Sequence, residues 1–148
     1  MKRFVLAAAA VVVAAMHQAV PAAAREACYS PAAMEADQAI RYMTDLMVIS
    51  SSCQDTIYAE FRLRNQVAIR AYQKAMIEHF HGTRRFDDWN TALANEISMK
   101  HSVIPTPQMC QQSAAILARA RELNEPQFRA LAASLASQAN GQYHKCHK

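Results

Sequence analysis

From Asp55 to His81 the chain runs twenty-seven residues without glycine or proline, and apolar positions recur at helical spacing. Ile57, Phe61, Ala68, Tyr72, Met76 and Phe80 mostly share one face, interrupted at Asn65. Arg62, Gln66, Arg70 and Lys74 follow one another at intervals of four and form a polar ridge elsewhere on the cylinder. The pattern predicts one helix of ~40 Å, at ~1.5 Å per residue. Gly82 is expected to supply the left-handed residue at its C-terminus.

Four further segments read as helices around it. Ser30 is an N-cap with Pro31 at the first helical position, opening a helix to about Ser50 whose inner face carries Ala36, Ile40, Met43 and Met47. The serine run Ser50–Ser52 weakens that helix, so a turn is expected there. Phe86, Trp89, Leu93 and Ile97 give a helix over about Phe86–His101, with Asp87 and Asp88 in its first turn and Lys100 and His101 in its last. Thr106 caps a fourth helix, with Pro107 at its first position, that runs to about Leu123. Asn124 and Gln127 have capping-box spacing for a fifth, whose face is Phe128, Leu131, Leu135 and Ala139. With short connections between them, these segments predict an all-α fold: a single up-and-down bundle of about five helices.

The start of the chain has a different pattern. Lys2 and Arg3 precede an unbroken apolar run from Phe4 to Met16, and Ala22-Ala23-Ala24 follows Pro21. This is the layout of a cleavable secretory signal, and the run is shorter than the ~20 apolar residues a membrane span needs. The expected division is a signal peptide over 1–24 and a helical domain over 25–148, exported to the periplasm or secreted from a bacterium. Of the 148 residues 124 would remain, and the formal net charge of +4 would fall to +2 because only Lys2 and Arg3 leave. That balance calls for neither nucleic acid nor an anionic membrane.

Export changes the meaning of the four cysteines. Cys28, Cys53, Cys110 and Cys146 all lie in the mature part, and an even number in an oxidising compartment implies two disulfides. In an alternating bundle Cys53 and Cys110 fall at one end. The first helix, ~30 Å long, keeps Cys28 far from Cys53. The expected pairs are Cys53–Cys110 and, by elimination, Cys28–Cys146.

Candidate chemistry is sparse. There is no C-x-x-C-H haem attachment, no G-x-S-x-G and no glycine-rich phosphate loop, so no catalytic residue and no cofactor is assigned. His144, Cys146 and His147 have ligand types suited to zinc or copper if Cys146 is a free thiol. The methionines Met34, Met43, Met47, Met76, Met99 and Met109 fit core packing better than haem or copper. Asp88 and Glu96, two helical turns apart, are the one carboxylate pair with a spacing of interest for hydrolysis. Arg62, Arg70, Lys74, Arg84 and Arg85 could dock an anionic group. The expected function is a non-enzymatic binding or interaction protein whose partner is another protein or a small ligand. A metal- or haem-binding bundle is the alternative, and a small helical hydrolase a distant third.

Overall fold

The computed structural model describes residues 28–146. The secretory signal read over 1–24 lies outside the described residues, as does His147. The described chain is all-helical and contains seven α-helices: α1 (Pro31–Ser52), α2 (Ile57–Arg64), α3 (Gln66–His79), α4 (Thr83–Ser102), α5 (Thr106–Gln112), α6 (Ala114–Glu122) and α7 (Glu125–Gln138). The expected count of about five is corrected to seven because two of the expected helices are each broken at one buried polar residue.

Asn65 makes the first break. It is fully buried, and its side-chain amide donates to the carbonyl oxygens of Phe61 at 2.9 Å and Leu123 at 3.1 Å. Leu123 ends α6, so this side chain ties the α2–α3 joint to the corner that leads into α7. The Asn65 backbone still donates to Phe61 and accepts from Ile69, while its side-chain amide serves another element. Ser113 makes the second break, buried between α5 and α6 with its hydroxyl 3.9 Å from the Met109 sulfur.

The helix ends also differ from expectation in detail. α3 closes with paired bonds, Gly82 N–H to the Ile77 carbonyl and His81 N–H to the Glu78 carbonyl, at 3.0 and 3.1 Å. In this reciprocal closure the left-handed residue is His81, at φ 55°, and not Gly82, whose φ of 151° lies in a region that favours glycine. α1 runs through the serine run to Ser52 and ends the same way: Asp55 N–H donates to the Ser50 carbonyl and Gln54 N–H to that of Ser51, with Gln54 at φ 57°. α4 begins at Thr83, so Arg84 and Arg85, rather than Asp87 and Asp88, occupy its first turn, where positive charge meets the helix dipole with the unfavourable sign. Thr106 lies inside α5 and makes no side-chain cap. At α1 the Ser30 hydroxyl accepts from Ala33 N–H at 3.1 Å, and at α7 Asn124 and Gln127 form a reciprocal capping box.

The element at the centre is α1, not the long segment that dominates the sequence pattern. Each of the other six helices touches it. Half of its residues are buried, spread around more than one face: Ala36, Ile40 and Met43 but also Met34, Leu46 and Ile49. Phe128 fills the middle of the core, edge-to-face with Phe61 at 4.9 Å and with Tyr72 at 5.7 Å. Two cysteine pairs hold the periphery, with sulfurs 2.02 Å apart in Cys53–Cys110 and 2.04 Å apart in Cys28–Cys146. The second pair fastens the tail, which makes a 3-10 turn at Asn140–Gln142 and then runs parallel beside Tyr29. Tyr29 N–H donates to the His144 carbonyl at 2.8 Å, and Cys146 N–H to the Tyr29 carbonyl at 3.3 Å.

Candidate functional site

Two concavities stand out, at different places on α1. The larger, about 730 Å³, is a groove in which α1 forms the floor (Met43, Thr44, Met47), α2 and α3 one wall, and α4 the other through Asn90 and Ala94. The α2–α3 wall runs from Tyr58 to Gln73, a length of ~22 Å at the helical rise. Ile69 and Met43 are buried at its base, whereas Leu63 at its lip is 73 % exposed and Val67, one turn on, 53 %. Leu63 and Val67 stand one helical turn apart and together form a small exposed apolar strip.

The charged residues lining this groove are Arg62 and Arg70. Arg62 lies over the Tyr58 ring, 5.6 Å from its centre, and Arg70 donates to Gln66 at 3.2 Å. Neither has a carboxylate partner among the described residues. Of the five basic residues marked in the sequence, the fold thus brings two into one groove. Lys74 lies 3.8 Å from Glu78, both fully solvated, and Arg84 and Arg85 project from the first turn of α4 without lining the groove.

The second concavity, about 590 Å³, lies beneath the Cys28–Cys146 connection. Tyr29, the first turns of α1 (Asp37, Gln38, Arg41), the end of α3 (His79, Phe80) and the tail (Gln142, Tyr143, His144) line it. Asp37 is its chemical centre. It is 1 % exposed, and its Oδ2 accepts from Arg41 Nε at 2.8 Å, from the Tyr143 hydroxyl at 2.5 Å and more weakly from Gln38 at 3.4 Å. Its other oxygen, Oδ1, is buried without a partner. Burial, then the hydrogen bond to Asp37, push the Tyr143 phenol well above its ordinary value of 10.0. Burial also holds His79 below its ordinary 6.5, outweighing the pull of the Asp37 carboxylate. The rings form a wall: Tyr29 lies 4.1 Å from His79 and 4.8 Å from Tyr143, centre to centre.

Sequence pattern did not single out this cluster. Its one available signal was Asp37, which falls on the apolar stripe of Ala33, Ala36 and Ile40, where a carboxylate is out of place. The tail residues carry no periodic signal at all. A further pair, His101 and Asp45, bonds at 2.6 Å between α4 and α1.

The remaining sequence candidates are dispersed. The Cys146 sulfur is bonded to that of Cys28 and offers no thiolate, so the condition attached to the His144, Cys146 and His147 set is not met in this structure. Among the described residues no three histidine, cysteine or acidic side chains converge as a metal site would require. Asp88 and Glu96 are both exposed and line neither concavity. Met76 and Met109 are core residues, Met43 and Met47 line the groove, and Met99 is 70 % exposed. No helix of the described residues is long and apolar enough to cross a membrane. Compared with known protein families, with curated proteins and with solved structures, the chain matches none of them.

Proposed function

We propose that this chain is an exported, non-enzymatic binding protein that holds a long-chain acid in the groove between α1, the α2–α3 pair and α4. The observation that carries this reading is the charge pattern of the groove: a methionine- and isoleucine-based floor, an exposed Leu63 at the lip, and Arg62 and Arg70 without a carboxylate opposite them. Such a lining fits an apolar chain with an anionic head. Methionine side chains adapt to a ligand of variable shape, and an arginine fork suits a carboxylate. A volume of about 730 Å³ falls in the range of small-molecule sites rather than of flat protein interfaces. The two disulfide-distance cysteine pairs, and the absence of a membrane-crossing helix among the described residues, are compatible with export.

The test is calorimetric titration with saturated fatty acids of increasing length, each below its micellar concentration, with native mass spectrometry for stoichiometry. Each added methylene contributes ~0.8 kcal/mol when buried, so affinity should rise about fourfold per carbon until the chain outgrows the groove. Leu63→Glu should abolish binding without unfolding the protein, since Leu63 packs mainly against water. The double variant Arg62→Gln/Arg70→Gln should weaken acids but leave the matching alcohols unchanged. Affinity independent of chain length, or unaltered by these variants, would sink the proposal.

A further inference from the structure

We propose that the cavity beneath the Cys28–Cys146 bond is a second, independent site, and that it binds a neutral saccharide. The argument starts from charge. Asp37 and Arg41 are the two formally charged side chains of the lining, and they neutralise each other across 2.8 Å. An organic cation entering the cavity would meet the Arg41 guanidinium, and an organic anion would meet the Asp37 carboxylate. A ligand without net charge meets neither penalty.

The lining is nonetheless rich in hydrogen-bonding groups of fixed direction. Gln38, Arg41, Gln142 and His144 present planar donors and acceptors, and Asp37 Oδ1 is an unpartnered acceptor in a residue only 1 % exposed. A buried acceptor of this kind is costly unless a donor reaches it, and a hydroxyl is the small neutral donor. Tyr143, whose hydroxyl donates to Asp37 Oδ2 and accepts from Gln38 Nε2 at 2.6 Å, lies beside it on the disulfide-fastened tail. The Tyr29, His79 and Tyr143 rings form the aromatic part of the lining, at centre separations of 4.1 and 4.8 Å. A ligand with hydroxyls around its rim and an apolar flat face matches both halves; a pyranose is that ligand. The volume of about 590 Å³ is adequate for such a small molecule.

Ligand-observed NMR on the disulfide-intact protein tests this, with glucose, galactose, mannose, N-acetylglucosamine and their dimers as probes and tetramethylammonium and acetate as charged controls. Trp89 provides a second readout, because it is the single tryptophan and packs 5.4 Å from Phe80 on the cavity wall. Expected is saturable binding of at least one neutral saccharide. It should weaken on the order of tenfold in His79→Ala, where part of the ring wall is lost. It should weaken a few-fold in the exposed tail variant Gln142→Ala and stay unchanged in Leu63→Glu, which separates this site from the groove. Should His79→Ala fail to fold, Gln142→Ala carries the test. The proposal is overturned if no saccharide saturates, if a charged probe binds in its place, or if saccharide binding is the same in both cavity variants as in the natural chain.

Discussion

Asn65 offers a sharp test of how this fold is held, because its two polar atoms have opposite situations. The amide nitrogen donates to Phe61 and Leu123, while Oδ1 is buried and unpartnered. The Phe61 carbonyl keeps its backbone partner, Asn65 N–H at 3.0 Å, whatever the side chain does. The Leu123 carbonyl has no backbone partner among the described residues. Asn65→Ala therefore orphans one buried carbonyl, at ~1–3 kcal/mol, and removes an already unsatisfied oxygen, which returns ~1 kcal/mol. The net expectation is about 0–2 kcal/mol of destabilisation near neutral pH. Asn65→Asp conserves shape yet turns a carboxylate toward two carbonyl oxygens inside the core, so it should cost at least 3–4 kcal/mol, on the order of removing one partner from a buried ion pair. Its burial also dictates the pH dependence. A buried acid has its folded pKa raised, so its penalty should be smallest in acid and grow as pH rises past the ordinary carboxylate value of about 3.9. Urea unfolding followed by far-UV circular dichroism at several pH values measures all of this. Equal stability of the Ala and Asp variants across the neutral range would refute the claim that position 65 is sealed against a carboxylate.

Phe128→Ala should cost ~3–5 kcal/mol, since it opens a cavity among Phe61, Tyr72 and Tyr42 at a residue 1 % exposed, and the same urea titration reports it. Replacing Cys53 and Cys110 together by serine should cost roughly 4 kcal/mol by chain entropy for a separation of 57 residues, read as a fall in the urea midpoint under non-reducing conditions. His79 makes stability fall in acid: its folded pKa is below the unfolded 6.5, so the unfolded chain takes up its proton first. That contribution is complete above pH 6.5 and lost as pH drops through the folded value. Thermal melts of His79→Gln should show a flatter acid limb than the natural chain, and an unchanged limb would refute the assignment to His79.

Much of the fold was legible one segment at a time. Helical spacing marked most of the stretches that became helix, start signals at Thr106 and Pro107 marked another although Thr106 makes no cap, and the capping chemistry at Ser30 and at Asn124 with Gln127 needs only residues within three positions of each other. The site was less so. Arg62 and Arg70 could be grouped as a ridge from their spacing, but their separation from Lys74, Arg84 and Arg85 depends on which wall α4 presents to α2 and α3. The cavity around Asp37 brings together positions 29, 37, 79 and 143, and no local pattern links residues more than a hundred positions apart.

What the sequence determined by itself is what short-range forces decide: that the segments are helical, where capping side chains start them, and that an apolar stripe must be covered. What the tertiary structure alone decided is how those stripes were shared. At Asn65 the buried amide is satisfied by another element, and a helical period cannot register a partner at position 123; at Ser113 the side-chain contact is local, to Met109 of the preceding turn. α1 became the centre because it is buried on several sides at once, which a one-dimensional stripe understates. The left-handed position fell to His81 and not Gly82 because the closing hydrogen bonds at the end of α3 set the register, and their combined gain exceeds the modest cost of a positive φ at histidine.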